Sequence, residues 1–203
     1  MAGTSEFGER SLTLTDCLVA TFSPTTTFAS AFGTPASLAI GQTMEIDFEA
    51  DTDELVGYGY TQALLTVIRG GKLKISQGGV DRSVLAILAG ISNSTSGSGA
   101  AQVAKSVFAA SGTSLPYWGA IGLAATDDGG YAAFGICGCM LDKFPAFTLD
   151  GKDNKFNMSE TEGRFMPITI SSVSTVLVIK TIQDRTTWNA PATGGAFATF
   201  FSG

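Results

Sequence analysis

Asp51, Asp53 and Glu54 form the tightest knot of side chains in this 203-residue chain that chemistry would use. A carboxylate pair can run glycoside hydrolysis, one group as acid and the other as base or nucleophile. Here the acids continue a row in which every second residue is acidic, which is the pattern of a solvated strand face rather than of a catalytic pair. The segment DTDELVG also opens like a calcium loop, but Leu55 stands where the third ligand belongs and Val56 where the sharp-turn glycine belongs. Gly57-Tyr58-Gly59 and Gly78-Gly79 lack the glycine spacing and the Lys-Ser/Thr pair of a phosphate loop.

The chain has no histidine, which removes the commonest general base, the Ser-His and Cys-His pairs and the commonest transition-metal ligand. Cys17, Cys137 and Cys139 are an odd set. The last two, at i and i+2 of one strand, would share a face ~7 Å apart, an awkward separation for a disulfide. All three are expected as buried small apolar residues. No catalytic residue, cofactor site or metal site is therefore expected, and the chain reads as a non-enzyme.

Composition sets the frame for the elements that must position these side chains. Apolar residues make up 44% of the chain, charged ones 15%, and glycine occurs 25 times, a mixture suited to packed sheets in a single domain spanning 1–203. The net charge of −6 opposes sequence-independent gripping of nucleic-acid phosphates. The opening MAGTSEFGERS has no apolar leader segment, and the longest apolar stretch, Val173 to Ile179, falls far short of the ~20 residues of a membrane helix, so a soluble, non-secreted chain without membrane contact is expected.

Leu12 to Phe22 reads as a strand. Residues 23–42, with Pro24 and Pro35, read as a long contact loop. Then comes the sharpest pattern, Met44, Ile46, Phe48 and Ala50 alternating with Glu45, Asp47, Glu49 and Asp51. Gly70-Gly71 between QALLTVIR and KLKIS predicts a hairpin turn, with Lys72 and Lys74 on one face and Leu73 and Ile75 on the other. From Val80 to Gly90 the period becomes helical, with Asp81 as cap, Val84, Leu85 and Leu88 as an apolar stripe and Gly90 as stop.

Asn93 to Ala101 reads as a flexible exposed loop. Tyr117 to Thr126 and Tyr131 to Leu141 are expected as Gly- and Ala-rich strands around the Asp127-Asp128-Gly129-Gly130 turn. Phe165 to Ser171 and Val173 to Ile182 complete the strands, the second apolar on both faces and so expected at the centre of a sheet. The tail, residues 183–203, is expected to be extended, and its Trp188, Phe197, Phe200 and Phe201 need somewhere to bury, which makes them candidates for contacts between subunits.

The run Asp47 to Ala89, DFEADTDELVGYGYTQALLTVIRGGKLKISQGGVDRSVLAILA, resembles the major tail proteins, or tail tube proteins, of long-tailed bacteriophages. The likeness lies in an acidic strand, a TDEL-x-GYG-type segment, a strand, a Gly-Gly turn, a second strand and a short helix beginning near Gly-Val-Asp. The later stretch FGICGCMLDKFPAFTLDGKDNKF is similar to the same family. The resemblance implies a mainly β fold, a β-sandwich or partial barrel with one short flanking α-helix. It also implies six-subunit rings stacked into a tube in the virion tail, with a terminator, a tape measure and a distal tail protein as partners and viral DNA passing through unbound.

In that setting Glu45, Asp47, Glu49 and Asp51 are the candidates for the lumen wall. A head-tail connector or tail-terminator ring is the nearest alternative, and a monomeric carbohydrate-binding sandwich is the alternative of another class.

Overall fold

The computed structural model describes residues 12–24, 27, 30–38, 41–57, 60–78, 81–107, 114–126, 130–144, 158–170, 173–175, 177–182 and 191–202. In chain order these form β1 (Leu12–Phe22), β2 (Ala36–Ser37), β3 (Gly41–Gly57), β4 (Tyr60–Gly78), α1 (Arg82–Ala89), β5 (Ser92–Ser96), β6 (Val103–Val107), β7 (Tyr117–Thr126), β8 (Tyr131–Lys143), β9 (Met158–Phe165), β10 (Ile168–Ile170), β11 (Val173–Thr175), β12 (Leu177–Ile182) and α2 (Gly194–Ser202).

The main sheet runs β2-β1-β7-β8-β9-β4-β3 with antiparallel pairing throughout, and β12 lies along the first half of β8. It curls so that β3 comes back against β1, and the Met44 sulfur of β3 lies over Gly122 of β7, where a side chain would collide with it. Leu14, Met44, Ile46, Gly122, Ala124 and Phe134 line an apolar cavity of about 220 Å³ along that seam. The fold is thus mainly β, a partial barrel, as expected.

Two apolar clusters cover the sheet on both sides. On one side Val84, Ile87 and Leu88 of α1 pack with Cys17, Val19, Leu73, Ile75, Trp118, Ala120, Ile136 and Phe165. The helix begins and ends where its local signals place it: the Asp81 carboxylate accepts hydrogen bonds from Ser83 N at 2.7 Å and Val84 N at 3.3 Å, and Gly90 stops it at φ +65°. On the other side Phe197, Phe200 and Phe201 of α2 pack with Leu18, Phe22, Phe32, Ile121 and Leu123.

Helix α2 corrects the expectation of one helix and an extended tail. Glycine-rich GGAFATFFS has weak helical propensity, and its three phenylalanines supply the burial that overrides it. Phe32 stacks on Phe201 with centroids 5.2 Å apart and lies 5.0 Å from Phe197, so the loop of residues 23–42 is a core element as well as a connection. Leu38 N also donates to Cys17 O at 2.8 Å, pinning the far end of that loop to β1.

Gly70-Gly71 is the second correction. Strand β4 runs straight through it, and β3 and β4 stay paired out to Gly57 and Tyr60. Gly70, at φ +151°, sits at a bulge where the register shifts between Glu49 and Ala50, and a Cβ on Gly71 would strike Asp47 O and the Phe165 ring. The glycines serve close approach of β9, not a turn. Leu73 and Ile75 are buried and Lys72 and Lys74 face out, as the alternation requires.

Three further expectations change. Residues 93–101 do not form a loop throughout: β5 and β6 make a two-stranded ribbon. Val173 to Ile182 is not one central strand, since β11 pairs with β10 while β12 pairs with β8 and exposes Ile179. Phe165 to Ser171 is likewise not one strand: Phe165 ends β9, MSETEGRF, whose inward positions are Thr161, Gly163 and Phe165, and Ile168–Ile170 form β10. The turn at 127–129, Trp188 and most of the later family-like stretch lie outside the described residues.

Candidate functional site

Strand β3 puts Glu45, Asp47 and Glu49 on the outer face and Met44 and Ile46 on the inner one. Its neighbour β4 sets Lys74 directly opposite Glu45 and Lys72 opposite Asp47. On the far side of β4, β9 brings Glu162 opposite Lys74 and Arg164 opposite Lys72. The outer face is therefore a column of lysines between two mainly acidic columns, where the sequence pattern alone suggested an uninterrupted acidic row.

Ion pairs knit the columns: Lys72 Nζ to Glu162 at 3.7 Å, Lys74 Nζ to Glu160 at 3.3 Å, and Arg164 to both Glu49 and Asp142 at 3.7 Å. All are solvent-accessible, so each contributes at most ~1 kcal/mol and weakens with salt. Acidic side chains still outnumber basic ones across the face, and it remains a solvated wall of mixed sign with an acidic excess.

Asp51 belongs to a different place. Beyond the bulge, β3 and β4 leave the sheet as a two-stranded arm, since β9 pairs with β4 only from Gly71 to Gly78. On one face of this arm Asp51 stands opposite Val67 and Asp53 opposite Leu65. Arg69, the bulged residue, holds Asp51 at 2.9 Å. Leu65, Val67 and Ile68 are 61%, 43% and 48% exposed.

The β5–β6 ribbon is the second projecting piece. Asn93, Ser106, Thr95 and Ala104 share one face, and Arg82 at the start of α1 grips that side. Its guanidinium donates from Nε to Ser106 Oγ at 2.7 Å and from Nη2 to Lys105 O at 2.8 Å and Ser94 O at 3.2 Å, while Asn93 Nδ2 donates to Arg82 O at 2.8 Å. The other face carries Val103, Lys105 and Val107 beside Ser96, Ser94 and Ser92, with Val103 61% and Val107 44% exposed.

Of the residues singled out for contacts between subunits, Phe197, Phe200 and Phe201 are buried in the chain's own core. The want of a home that made them candidates is thereby met within one chain. The arm and the ribbon expose apolar side chains instead, and sequence reasoning missed both because an exposed strand extension differs from a sheet strand only in what fails to pack on it. Among the described residues no group of His, Cys, Asp and Glu is arranged to hold a metal ion. The three cysteines are buried and form no disulfide, with Cys17 pushed up to about 12 by burial and by the charge of Asp16, and Cys137 to about 11 by burial. They are protonated and inert at neutral pH.

Fold and site together define a curled antiparallel sheet with a charged outer wall and two projecting ribbons, each with exposed apolar side chains. No protein-family model matches the chain, and no characterised protein matches it in sequence. Among solved structures, the chain aligns with one from an extracellular contractile injection system, the PVC sheath-tube complex in its extended state seen by cryo-EM. The alignment has 8% identity and a TM-score of 0.45, and covers 82% of this chain and 88% of that one.

Proposed function

We propose that this protein is a structural subunit of a bacteriophage tail tube, in which hexameric rings stack into a hollow tube and viral DNA passes along a lumen walled by the β3–β4–β9 face. One observation carries the reading: the arm formed by residues 50–57 and 60–69 leaves the sheet with strand edges that no other described residue pairs, and with Leu65, Val67 and Ile68 in solvent. A monomer gains nothing from such an arm, which is a template for pairing with another chain. A neighbouring subunit would cover the side chains and complete the edges.

The resemblance of Asp47 to Ala89 to tail tube proteins supports the tube over other polymers, because it spans the acidic strand, the arm, β4 and α1 together. In this reading the wall acts passively. Its acidic excess, repeated around the ring, repels phosphates over ~8 Å at physiological salt, while its lysines are held within ion pairs. The subunit has no catalytic role. Its partners are further copies of itself, the terminator, tape-measure and distal tail proteins, and DNA that is conducted without being bound.

Negative-stain electron microscopy of the purified protein tests this directly. Stacked hollow tubes are expected on raising the concentration; single rings would point instead to a connector or terminator, and particles that remain monomeric would overturn the reading.

A further inference from the structure

We propose that the outward face of the β5–β6 ribbon receives the β3–β4 arm of a second copy of this chain, with Lys105 of one copy paired to Asp53 of the other. The inference rests on the reading of the chain as a self-assembling subunit and specifies which two surfaces meet.

The two faces are matched in spacing and chemistry. The ribbon presents Val103, Lys105 and Val107 at every second position, so two exposed apolar side chains flank a cation at intervals of ~7 Å. The arm presents Leu65 and Val67 on one strand and Asp53 and Asp51 opposite them, so two exposed apolar side chains stand beside two carboxylates at the same interval. Residues 92–107 contain no acidic side chain at all, and the segment of the arm from Asp51 to Glu54 contains no basic one.

The charges are also available. Asp51 is engaged by Arg69, but the Asp53 carboxylate and the Lys105 ammonium form no ion pair among the described residues. Each is exposed on its own ribbon. The receiving face is held in place before contact, because Arg82 ties both ribbon strands to α1 from behind. Such preorganisation lowers the ordering cost of association. An arm that docks on a different surface of the next copy makes a head-to-tail contact, and that geometry propagates into rings or stacks instead of stopping at a dimer.

Charge reversal and cross-linking test the pairing in the full chain. Asp53→Lys and Lys105→Glu should each raise the concentration needed for assembly at least about tenfold, through like-charge juxtaposition, and the two changes combined in one chain should restore it to within about threefold of the unaltered protein. Both positions are exposed, so thermal unfolding should be unchanged. Independently, a chain carrying Asp53→Cys and Lys105→Cys, treated with a short bis-maleimide, should give a ladder of linked oligomers on a denaturing gel, while each single variant should not.

The native cysteines are buried and do not compete. Single reversals that assemble at the normal concentration, or a double-cysteine chain that assembles without forming a ladder, would overturn the pairing and leave the tube reading standing. An unaltered protein that never assembles would overturn both.

Discussion

Cys137 and Cys139 are two residues apart on β8 yet lie in different cores, Cys137 against the α2 side of the sheet and Cys139 against the α1 side. Gly138 between them, at φ +73°, makes the difference. Opposite it, β7 advances one residue, Gly119, where β8 advances two, so the pairing passes from Ala120 with Ile136 to Trp118 with Cys139. The extra residue is a β-bulge that reverses which face each later side chain takes. It also marks the point where β8 stops pairing with β12 and starts pairing with β9.

Gly138 is expected to tolerate no side chain. Its backbone lies in the left-handed region, and a Cβ there would run into Ile168. Gly138→Ala should destabilise the protein by at least about 2 kcal/mol, combining backbone strain with overpacking. Urea unfolding followed by fluorescence would measure this, and a midpoint within error of the unaltered protein would refute the bulge as described.

The buried thiols predict an alkaline limit. Burial lifts Cys17 to about 12 and Cys137 to about 11 from an ordinary 9.0, and lifts Cys139 well above it. The folded chain therefore keeps protons that the unfolded chain releases, so this contribution is intact below about pH 9 and is lost progressively as pH rises towards 11–12. Urea midpoints at pH 8, 9.5 and 10.5 should fall in that order. A variant with all three cysteines replaced by alanine should fall less steeply, and an equal slope would assign the decline to other groups.

Phe197 should behave as a core residue, not an interface residue. It is fully buried, with the Phe32 ring 5.0 Å and the Phe201 ring 5.8 Å away. Phe197→Ala should cost about 3–5 kcal/mol and lower the thermal midpoint of the isolated subunit by roughly 10 °C. A variant that unfolds normally but fails to assemble would return the residue to the interface. Removing residues 187–203 is accordingly a test of folding, because it takes away α2.

How far the sequence reveals this fold depends on how far each signal reaches. Helix α1 is legible because Asp81 and Gly90 act on backbone within a turn of themselves. The alternation from Met44 to Glu49 is legible because one strand against one core produces it. Gly70-Gly71 is ambiguous on its own: the same pair permits a two-residue turn or the close passage of another strand, and Phe165, some ninety positions away, decides. The cysteines are misplaced for a similar reason, since Ile168 and β9 fix the bulge at Gly138. Helix α2 is unreadable from propensity, and Phe32 in a proline-bearing loop gives no hint that it is the platform on which α2 packs. Glu45, Asp47 and Glu49 are correctly placed on one outer face, but their lysine neighbours become visible only with the register of β4.

That register sharpens what the charged wall should do. If the β3–β4–β9 face lines the passage, its lysines sit between acids and present little free cation to a passing phosphate. Replacing Lys72 and Lys74 by Gln should then leave DNA ejection from assembled particles as fast as before, since it only increases the acidic excess. Replacing Glu45, Asp47 and Glu49 together by Lys has the opposite sign: it adds three cations per subunit beside the existing lysine column, and ring symmetry repeats that change around the bore. Ejection should slow at least about tenfold at low ionic strength and recover as salt screens the wall. Particles carrying the triple change that assemble and eject at the normal rate would show that this face looks outward, and the acidic excess would then have no part in conducting DNA.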